Sequence, residues 1–262
     1  DLMRAKKRFG QNFLQDPLII DDIVGFVPNR PGLHILEIGP GQGALTKQLC
    51  RIDPSITVVE LDRDLIRGLE ALLPRTATIL QQDALKLRLE DLPTPLTIVG
   101  NLPYNISTPL LMHLLDQLDH IDQMIFMFQK EVVDRLSAPT HTKAYGRLSV
   151  VTQLRCQVTH ALSVPPSAFW PAPKVDSAVT VLTPIPHEQR EPFQTDGLQT
   201  ILTAAFGQRR KTLRNSLKHL FSETALLTAG IDPAARAETL DPLTYAQLSI
   251  LLSETGPMEP GR

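Results

Sequence analysis

Residues 34–43 read His34-Ile35-Leu36-Glu37-Ile38-Gly39-Pro40-Gly41-Gln42-Gly43. Residues 34–38, with three aliphatic side chains, predict a buried strand, and residues 44–52, after the loop, predict a helix. A strand, a glycine-rich loop and a helix in this order are typical of the cofactor-binding start of a Rossmann-like sheet. The loop has the spacing Gly-x-Gly-x-Gly, and Ala44 stands where a dinucleotide fingerprint has its last glycine. This difference favours a ligand without a pyrophosphate, such as S-adenosylmethionine.

Acidic residues follow the next two predicted strands. The strand 55–59 ends at Glu60, and Asp83 comes shortly after the strand 76–80. Because the carboxyl ends of parallel strands meet at one edge of a sheet, we expect these carboxylates to lie near the glycine loop. Glu60 is placed to bind ribose hydroxyls, and Asp83 is placed to accept a hydrogen bond from an adenine. Together with the loop, they predict a site for a nucleoside-containing cofactor.

A fourth predicted strand, residues 96–99, leads into Val99-Gly100-Asn101-Leu102-Pro103-Tyr104-Asn105-Ile106. The side-chain oxygen of Asn101 and the carbonyl of Leu102 are two acceptors for the hydrogens of an exocyclic amine. Tyr104 is expected to stack on the base that carries this amine, as flipped bases are usually held. This pattern favours methylation of an amine on a flat base. The alternative is an ordinary turn at the end of a strand, in which Asn and Pro are common residues.

A proline-rich loop, residues 165–174, carries Phe169 and Trp170, the single tryptophan of the chain. This loop and the Tyr104 loop fall in the two longest stretches without Asp, Glu, Lys or Arg, residues 156–173 and 92–115. We therefore expect the two loops to face each other and to form an aromatic slot. The alternative is that Phe169 and Trp170 only pack their own loop.

The last part of the chain differs in pattern from the rest. After a polar connector at residues 184–192, apolar spacing predicts helices over 198–206, 212–221, 223–228 and 243–252. Residues 207–220 contain no acidic residue and five cations: Arg209, Arg210, Lys211, Arg214 and Lys218. On one helix, Arg210, Arg214 and Lys218 would share a face, which is the footprint expected for a phosphate backbone. Arg147 adds a cation in a second segment, and solvated helix faces are the alternative explanation.

Composition sets the broad class. The chain has 262 residues, a formal net charge of −2 and 42% hydrophobic residues, which is typical of a globular protein with a substantial core. Its two cysteines, Cys50 and Cys156, are expected to be core thiols in a reducing compartment. No His or Cys spacing predicts a metal site. Because neither a signal peptide nor a membrane span is evident, we expect a cytoplasmic protein.

Taken together, these motifs resemble those of the ribosomal RNA adenine N6,N6-dimethyltransferase family, in particular its bacterial KsgA-type branch. The resemblance covers almost the whole chain and rests on residues 8–14, 37–43, 60–64, 100–107, 169–177 and 208–215. It implies a class I methyltransferase sheet of the Rossmann-like α/β class, with seven strands of which the last is antiparallel, and a small C-terminal all-α domain. Trp170 fills a position that the family leaves free.

The resemblance also implies the site. We expect a basic arm over residues 1–16, a methyltransferase domain over 17–186 and a helical domain over 187–262. S-adenosylmethionine is then bound by Asn12, Leu14, Gly39, Gly41, Glu60, Asp83 and Asn101. The target adenine is surrounded by Asn101, Leu102, Tyr104 and Phe169.

The implied substrate is a pair of adjacent adenosines in a loop near the 3′ end of 16S rRNA, in the assembling 30S subunit. Each adenosine receives two methyl groups on N6, and the enzyme is expected to act as a monomer, without a metal or a membrane. Two other hypotheses stay open at this point. One is an assembly factor whose binding to the immature subunit matters more than its chemistry. The other is a DNA adenine methyltransferase or a large-subunit rRNA methyltransferase of related fold.

Overall fold

The computed structural model describes residues 11–256 of the chain. Its strands are β1 (Phe13–Leu14), β2 (His34–Ile38), β3 (Thr57–Val59), β4 (Thr78–Leu80), β5 (Leu96–Asn101), β6 (Ile121–Gln129), β7 (Cys156–Val164), β8 (Phe169–Trp170) and β9 (Ser177–Pro184). Its helices are α1 (Pro17–Gly25), α2 (Thr46–Ile52), α3 (Arg63–Leu72), α4 (Ser107–Leu115), α5 (Lys130–Ser137), α6 (Arg147–Gln153), α7 (Thr195–Gly207), α8 (Leu213–Ser216), α9 (Glu223–Thr228) and α10 (Pro242–Thr255).

A sheet of seven strands, in the order β4-β3-β2-β5-β6-β9-β7, forms the main layer. The strands β4, β3, β2, β5 and β6 run parallel, and β9 is antiparallel to β6. Central strands of such a sheet are covered on both faces and therefore read as continuous apolar runs. Residues 96–100 of β5 are all buried, as this rule requires. The expected Rossmann-like sheet with an antiparallel last strand is confirmed.

The order of the strands brings several predicted site residues to one edge. β2 lies between β3 and β5, so that residues following these three strands meet at their carboxyl ends. β5 is longer than predicted and includes Asn101, whose partner in the ladder is Met127 of β6. The strand therefore holds the backbone of Asn101 in place, where the sequence predicted a residue just beyond the strand.

Two compact units divide the described residues. The first contains residues 11–133 and Gln157–Pro184, and the second contains Asp134–Cys156 together with residues 185–256. Residues 134–156 fall inside the predicted methyltransferase domain, but they pack with the second unit. Residues 1–10 of the predicted basic arm lie outside the described part of the chain.

Tyrosines explain why residues 134–156 belong to the second unit. The hydroxyl of Tyr145 donates to the carbonyl of Leu240 at 2.7 Å, and the hydroxyl of Tyr245 donates to the carbonyl of Ala237 at 2.6 Å. The ring of Phe206 lies between them, with centroid distances of 5.9 Å to Tyr145 and 5.7 Å to Tyr245. Burial raises the pKa of both phenols well above its usual value, so each stays a neutral donor.

Two expectations are corrected by the structure. The predicted helix over 212–221 is limited to α8, because the amides of Leu220 and Phe221 both donate to the carbonyl of Leu217 and form a turn after the helix ends. Of the two cysteines, Cys156 is a core thiol, whereas Cys50 is half-buried. Burial raises the pKa of the Cys156 thiol to about 12. In residues 11–256 no helix is both long and apolar enough to cross a membrane.

Candidate active site

The glycine loop between β2 and α2 forms one wall of the site. Gly39 and Gly41 have φ values of 65° and 58°, in the left-handed region that L side chains rarely adopt. A Cβ added at Gly41 would lie 3.0 Å from Cδ1 of Phe13, so this glycine also leaves room for the Phe13 ring. The amide of Gly39 donates to the carbonyl of Val59 at 3.0 Å, which fixes the start of the loop to the end of β3.

Both predicted carboxylates lie at the ends of strands. One oxygen of Glu60, Oε2, accepts hydrogen bonds from the amides of Leu61 and Asp62 at 2.8 and 3.0 Å. Burial nevertheless raises the pKa of Glu60, since its desolvation outweighs these bonds. Asp83 accepts from the amide of Leu85 at 3.0 Å and so caps a short turn after β4. These backbone bonds hold the two carboxylates in fixed orientations.

A third carboxyl group, Glu37 of β2, lies among apolar residues of the same strand and is 1% exposed. The hydroxyl of Thr46 donates to it, and the charge of Glu60 lies close enough to affect its ionisation. Burial raises the pKa of Glu37 to about 8, with a smaller contribution from Glu60. Sequence reasoning assigned Glu37 no role, although an acid inside an apolar strand was the signal that could have found it.

Asn101 has a defined orientation. Its Nδ2 donates to the main-chain carbonyl of Asn12 at 3.0 Å. Because this bond uses the amide nitrogen as the donor, the side-chain oxygen Oδ1 is left as the acceptor that Asn101 offers. The following residue, Leu102, is 2% exposed, and its amide donates to the carbonyl of Met127 at 3.3 Å. The turn after β5 is therefore anchored at both residues.

Two serines lie beside Tyr104. Oγ of Ser107 donates to the Tyr104 carbonyl at 3.1 Å, and the hydroxyl of Ser177, the first residue of β9, is close enough to the phenol to affect its ionisation. Partial burial raises the pKa of the phenol, so the ring is neutral at physiological pH. A neutral aromatic ring on an anchored backbone is suited to stacking on a flat base.

A second sheet, of two strands, contributes residues to the site and was not predicted from the sequence. β1 pairs antiparallel with β8, with Phe13 opposite Trp170 and Leu14 opposite Phe169. Gln15 extends the pairing, since its amide donates to the carbonyl of Ala168 at 2.8 Å. We call these two paired strands the β1–β8 ribbon. The ribbon brings Asn12 and Phe169 to the glycine loop and the Tyr104 loop.

All of these parts line one cleft of about 290 Å3 in the first unit. Among its lining residues are all ten that were predicted to bind the cofactor or the adenine, namely Asn12, Leu14, Gly39, Gly41, Glu60, Asp83, Asn101, Leu102, Tyr104 and Phe169. The predicted meeting of the Tyr104 and Phe169 loops is present. Lining residues that the sequence reasoning did not single out include Gln11, Phe13, Glu37, Leu61 and Gln82.

Comparison with known proteins assigns the chain to a family. The family model described as ribosomal RNA adenine dimethylase matches residues 2–254. The chain belongs to this family. It is 50% identical over 264 residues to the ribosomal RNA small subunit methyltransferase A of Salmonella schwarzengrund, covering 97% of this chain and 96% of the relative. A protein with the same name from Salmonella newport is 49% identical over the same coverage.

Solved structures agree with the fold of this dimethylase family member. A crystal structure of a dimethyladenosine transferase from Plasmodium falciparum has a TM-score of 0.78 and 25% identity, and the match covers 94% of this chain and 98% of that chain. The 23S rRNA methyltransferase ErmE has a TM-score of 0.68 at 24% identity, covering 92% and 100% of the two chains. Family and fold together identify an rRNA adenine dimethyltransferase, which confirms the expected enzyme class.

The predicted RNA-contacting residues of this dimethyltransferase lie in the second unit. Arg147 begins α6 and is exposed, as are Arg210, Lys211, Arg214 and Lys218. Arg210 lies in the turn after α7, and Lys218 lies in the turn after α8. The prediction that both share a helix face with Arg214 is therefore wrong, because α8 is too short to include them.

Arg209 and Arg214 have protein partners in the second unit. The guanidinium of Arg209 donates to the carbonyls of Lys143 and Thr142 at 3.0 and 3.4 Å and lies 5.5 Å from the ring centroid of Phe206. Arg214 pairs with Glu223 at 3.0 Å. The absence of acids from residues 207–220 thus did not predict the surroundings of Arg214, because Glu223 comes from the next helix.

Proposed function

We propose that the chain transfers methyl groups from S-adenosylmethionine to N6 of two adjacent adenosines in a loop near the 3′ end of 16S rRNA, in the assembling small subunit. One observation carries the proposal: the hydrogen bond from Nδ2 of Asn101 to the carbonyl of Asn12. Because Nδ2 is the donor in this bond, Oδ1 of Asn101 is left as an acceptor in the cleft that Tyr104 and Phe169 also line. The small-subunit name of relatives at 49–50% identity supports the choice of substrate.

The lining of the cleft fits S-adenosylmethionine. Gly39 and Gly41 carry no side chains, so the backbone of the loop can approach the methionine part of the cofactor next to the Phe13 ring. Glu60 presents a buried carboxylate to ribose hydroxyls, and Asp83 presents an acceptor to the adenine amine. Asn12 and Leu14 close the site from the β1–β8 ribbon. When bound, the cofactor supplies an electrophilic methyl group on a positively charged sulfur.

The protein's part in the reaction is to position a poor nucleophile. The lone pair of an adenine amine is delocalised into the ring, so it attacks well only when the nitrogen becomes pyramidal. Oδ1 of Asn101 and the carbonyl of Leu102 are acceptors for the two N–H groups, and Tyr104 and Phe169 fix the plane of the ring. Orienting the amine in this way can lower the activation barrier of methyl transfer by a large amount, so a strong general base is not required.

A second methyl transfer places a further demand on the same slot. After the first transfer, one N–H group remains, so one of the two acceptors must face a methyl group. Tyr104 and Phe169 tolerate this change, because the aromatic rings that flank the base carry no charge. The same residues therefore serve both rounds, which a dimethyltransferase requires.

The cations of the second unit complete the proposal. We place Arg147, Arg209, Arg210, Lys211, Arg214 and Lys218 against the phosphate backbone of the RNA. Arg210, Lys211 and Lys218 are the exposed cations of the 207–220 segment whose side chains have no partner described in residues 11–256. Flexible cations on turns suit a backbone that is contacted without reading its sequence.

Transfer of labelled methyl groups tests the proposed function. Unmethylated 30S particles, 50S particles and duplex DNA are incubated in parallel with the protein and labelled S-adenosylmethionine. We expect label only on the 30S particles, in N6,N6-dimethyladenosine at two neighbouring positions near the 3′ end of 16S rRNA. Label on the 50S particles or on DNA instead would assign a different substrate.

A further inference from the structure

Trp170 is the one residue of the β1–β8 ribbon that is large, aromatic and exposed. It is 42% exposed, whereas Phe13, Leu14 and Phe169 are buried. It is also the single tryptophan of the chain and stands beside Phe169, which lines the cleft. The exposed part of the indole therefore offers an aromatic surface beside a residue of the cleft.

The ribbon determines where the indole lies. Residues directly opposite each other in an antiparallel pair point to the same face, so Trp170 shares its face with Phe13, and Phe169 shares the other face with Leu14. The ring of Phe13 is next to Gly41 of the glycine loop. Trp170 therefore lies next to Phe13, which lines the cleft, but is not itself a lining residue. We place it at the rim of the cleft.

The backbone around Trp170 is well fixed. Ladder pairing joins Phe13 to Trp170 and Leu14 to Phe169, and the amides of Gln15 and Asp16 both donate to the carbonyl of Ala168. A large aromatic side chain on a fixed strand loses little conformational freedom when a ligand stacks on it. The ribbon therefore holds Trp170 as a fixed platform, that is, an aromatic surface on which a ligand can stack.

We propose that Trp170 stacks on the unpaired base next to the adenosine that occupies the cleft. The inference rests on the proposed function, since it requires a single-stranded RNA segment whose target base is turned into the slot. Turning one base out of its stack separates it from its neighbour, and an aromatic ring at the rim can replace the lost stacking partner. Because the proposed target is a pair of adjacent adenosines, the base on Trp170 is the second adenosine while the first one reacts.

Intrinsic fluorescence gives a direct test, because the chain has one tryptophan. An RNA hairpin with the sequence of the 16S 3′-terminal loop is titrated into the full chain in the presence of S-adenosylhomocysteine. We expect quenching of the Trp170 emission that saturates with RNA binding. A hairpin in which the adenosine beside the target is abasic should bind with much less quenching, whereas abasic substitution two nucleotides further away should change nothing.

Kinetics of three variants provide the second test. Trp170→Ala should raise KM for the RNA about 5- to 20-fold, the lower part of the range for the loss of one stacked base. Its kcat at saturating RNA and its dissociation constant for S-adenosylmethionine should stay near the wild-type values. Trp170→Phe should restore KM to within about threefold because it keeps an aromatic face, and Trp170→Leu should not, although it keeps apolar bulk.

The two tests distinguish a failure of the stacking proposal from a failure of the proposed function. Equal KM values for Trp170→Ala and wild type, together with no quenching by the hairpin, would overturn the stacking proposal while methyl transfer to 30S particles remained intact. Equal losses in the Phe and Leu variants would also overturn it, since they would indicate a packing role. If the wild type methylates only 50S particles or DNA, the proposed function fails, and quenching by those substrates still reports on Trp170.

Discussion

Nδ2 of Asn101 donates a 3.0 Å hydrogen bond to the main-chain carbonyl of Asn12, a residue 89 positions earlier in the chain. One end of this bond is the amide at the end of β5, and the other lies just before the β1–β8 ribbon. The bond selects which end of the amide faces the cleft, because the nitrogen is committed to Asn12. The N-terminal segment therefore orients the group that we place at the adenine amine.

Replacement of Asn101 tests this relationship. Asn101→Ala removes one of two acceptors for the amine, and we expect kcat to fall about 10²- to 10³-fold, as for other hydrogen-bond partners that act in a transition state. Binding of S-adenosylmethionine, measured by calorimetry, should weaken much less. Asn105→Ala removes an exposed asparagine from the same loop and should retain at least tenfold more activity than Asn101→Ala.

Asn101→Asp separates orientation from charge. A carboxylate keeps an acceptor and adds a negative charge, which by electrostatics alone would favour the cationic product of methyl transfer. It cannot donate to the Asn12 carbonyl, and so we expect a loss of more than tenfold in kcat. An aspartate variant as active as the wild type would show that the bond to Asn12 does not matter for catalysis.

Gly41 offers a test of the cofactor site. Gly41→Ala places a Cβ 3.0 Å from the Phe13 ring at a φ of 58°. Left-handed φ costs an L residue about 1–2 kcal/mol, so the loop of the variant leaves this conformation when it is free and must return to it on binding, and we expect the dissociation constant for S-adenosylmethionine to rise about tenfold. Gly68→Ala is the control, since it lies in α3 with no atom within 4 Å of the added Cβ. It should stabilise the protein by about 0.5–1 kcal/mol without changing cofactor affinity.

Local patterns account for the part of the fold that could be predicted. β2 was predicted with its observed bounds, since its apolar residues are adjacent in sequence and the glycine loop ends it. The alternation of strands with helices favoured a parallel sheet, whereas the order of the strands is known only from the structure. Because strands of one direction end at one edge, the meeting of Gly39, Glu60, Asp83 and Asn101 could also be predicted.

Long-range pairings account for what could not be predicted. β1 and β8 have two residues each, too few to show a period, and they are 155 or more positions apart in sequence. α8 ends after four residues, and its first amides donate to the carbonyls of Ala235 and Pro233, which no pattern in residues 212–221 predicts. Such contacts depend on where other elements bring the backbone, and the sequence of the segment itself does not encode them.

The raised pKa of the buried Glu37 carboxyl group should make the free energy of unfolding depend on pH. Its folded-state pKa of about 8 lies above the ordinary 4.5, so the folded protein binds a proton that the unfolded chain releases. The stabilisation is fully present below pH 4.5 and is lost as the pH rises toward 8, by an amount on the order of a few kcal/mol. Glu37→Gln keeps a neutral partner for Thr46 and removes this dependence.

Urea unfolding at pH 5, 6.5, 8 and 9 measures the difference. The free energy of unfolding of the wild type should fall relative to that of Glu37→Gln between pH 5 and 8, and the gap should then level off. Glu70→Gln removes an exposed carboxylate from α3 and serves as the control, with a curve parallel to the wild type. Parallel curves for Glu37→Gln as well would mean that Glu37 is already ionised in the folded protein.

Salt dependence tests the placement of the RNA on the second unit. Replacing Arg210, Arg214 and Lys218 by Ala should weaken RNA binding and flatten its dependence on salt, because fewer counterions are released from the phosphates. If all three contact single-stranded phosphates, the slope of log K against log[salt] should decrease in magnitude by about 2. Cofactor affinity should not change, since none of the three lines the cleft.

Two further variants show whether the change in salt dependence is specific to Arg210, Arg214 and Lys218. Replacing Arg63, Arg67 and Arg75 by Ala removes three exposed cations from the first unit and equals the test variant in net charge. That variant should keep the wild-type salt slope. Glu223→Gln removes the ion-pair partner of Arg214 and leaves its guanidinium available, so RNA binding should be unchanged or slightly tighter. An equal loss of slope in both triple variants would mean that net charge, and not this surface, determines RNA affinity.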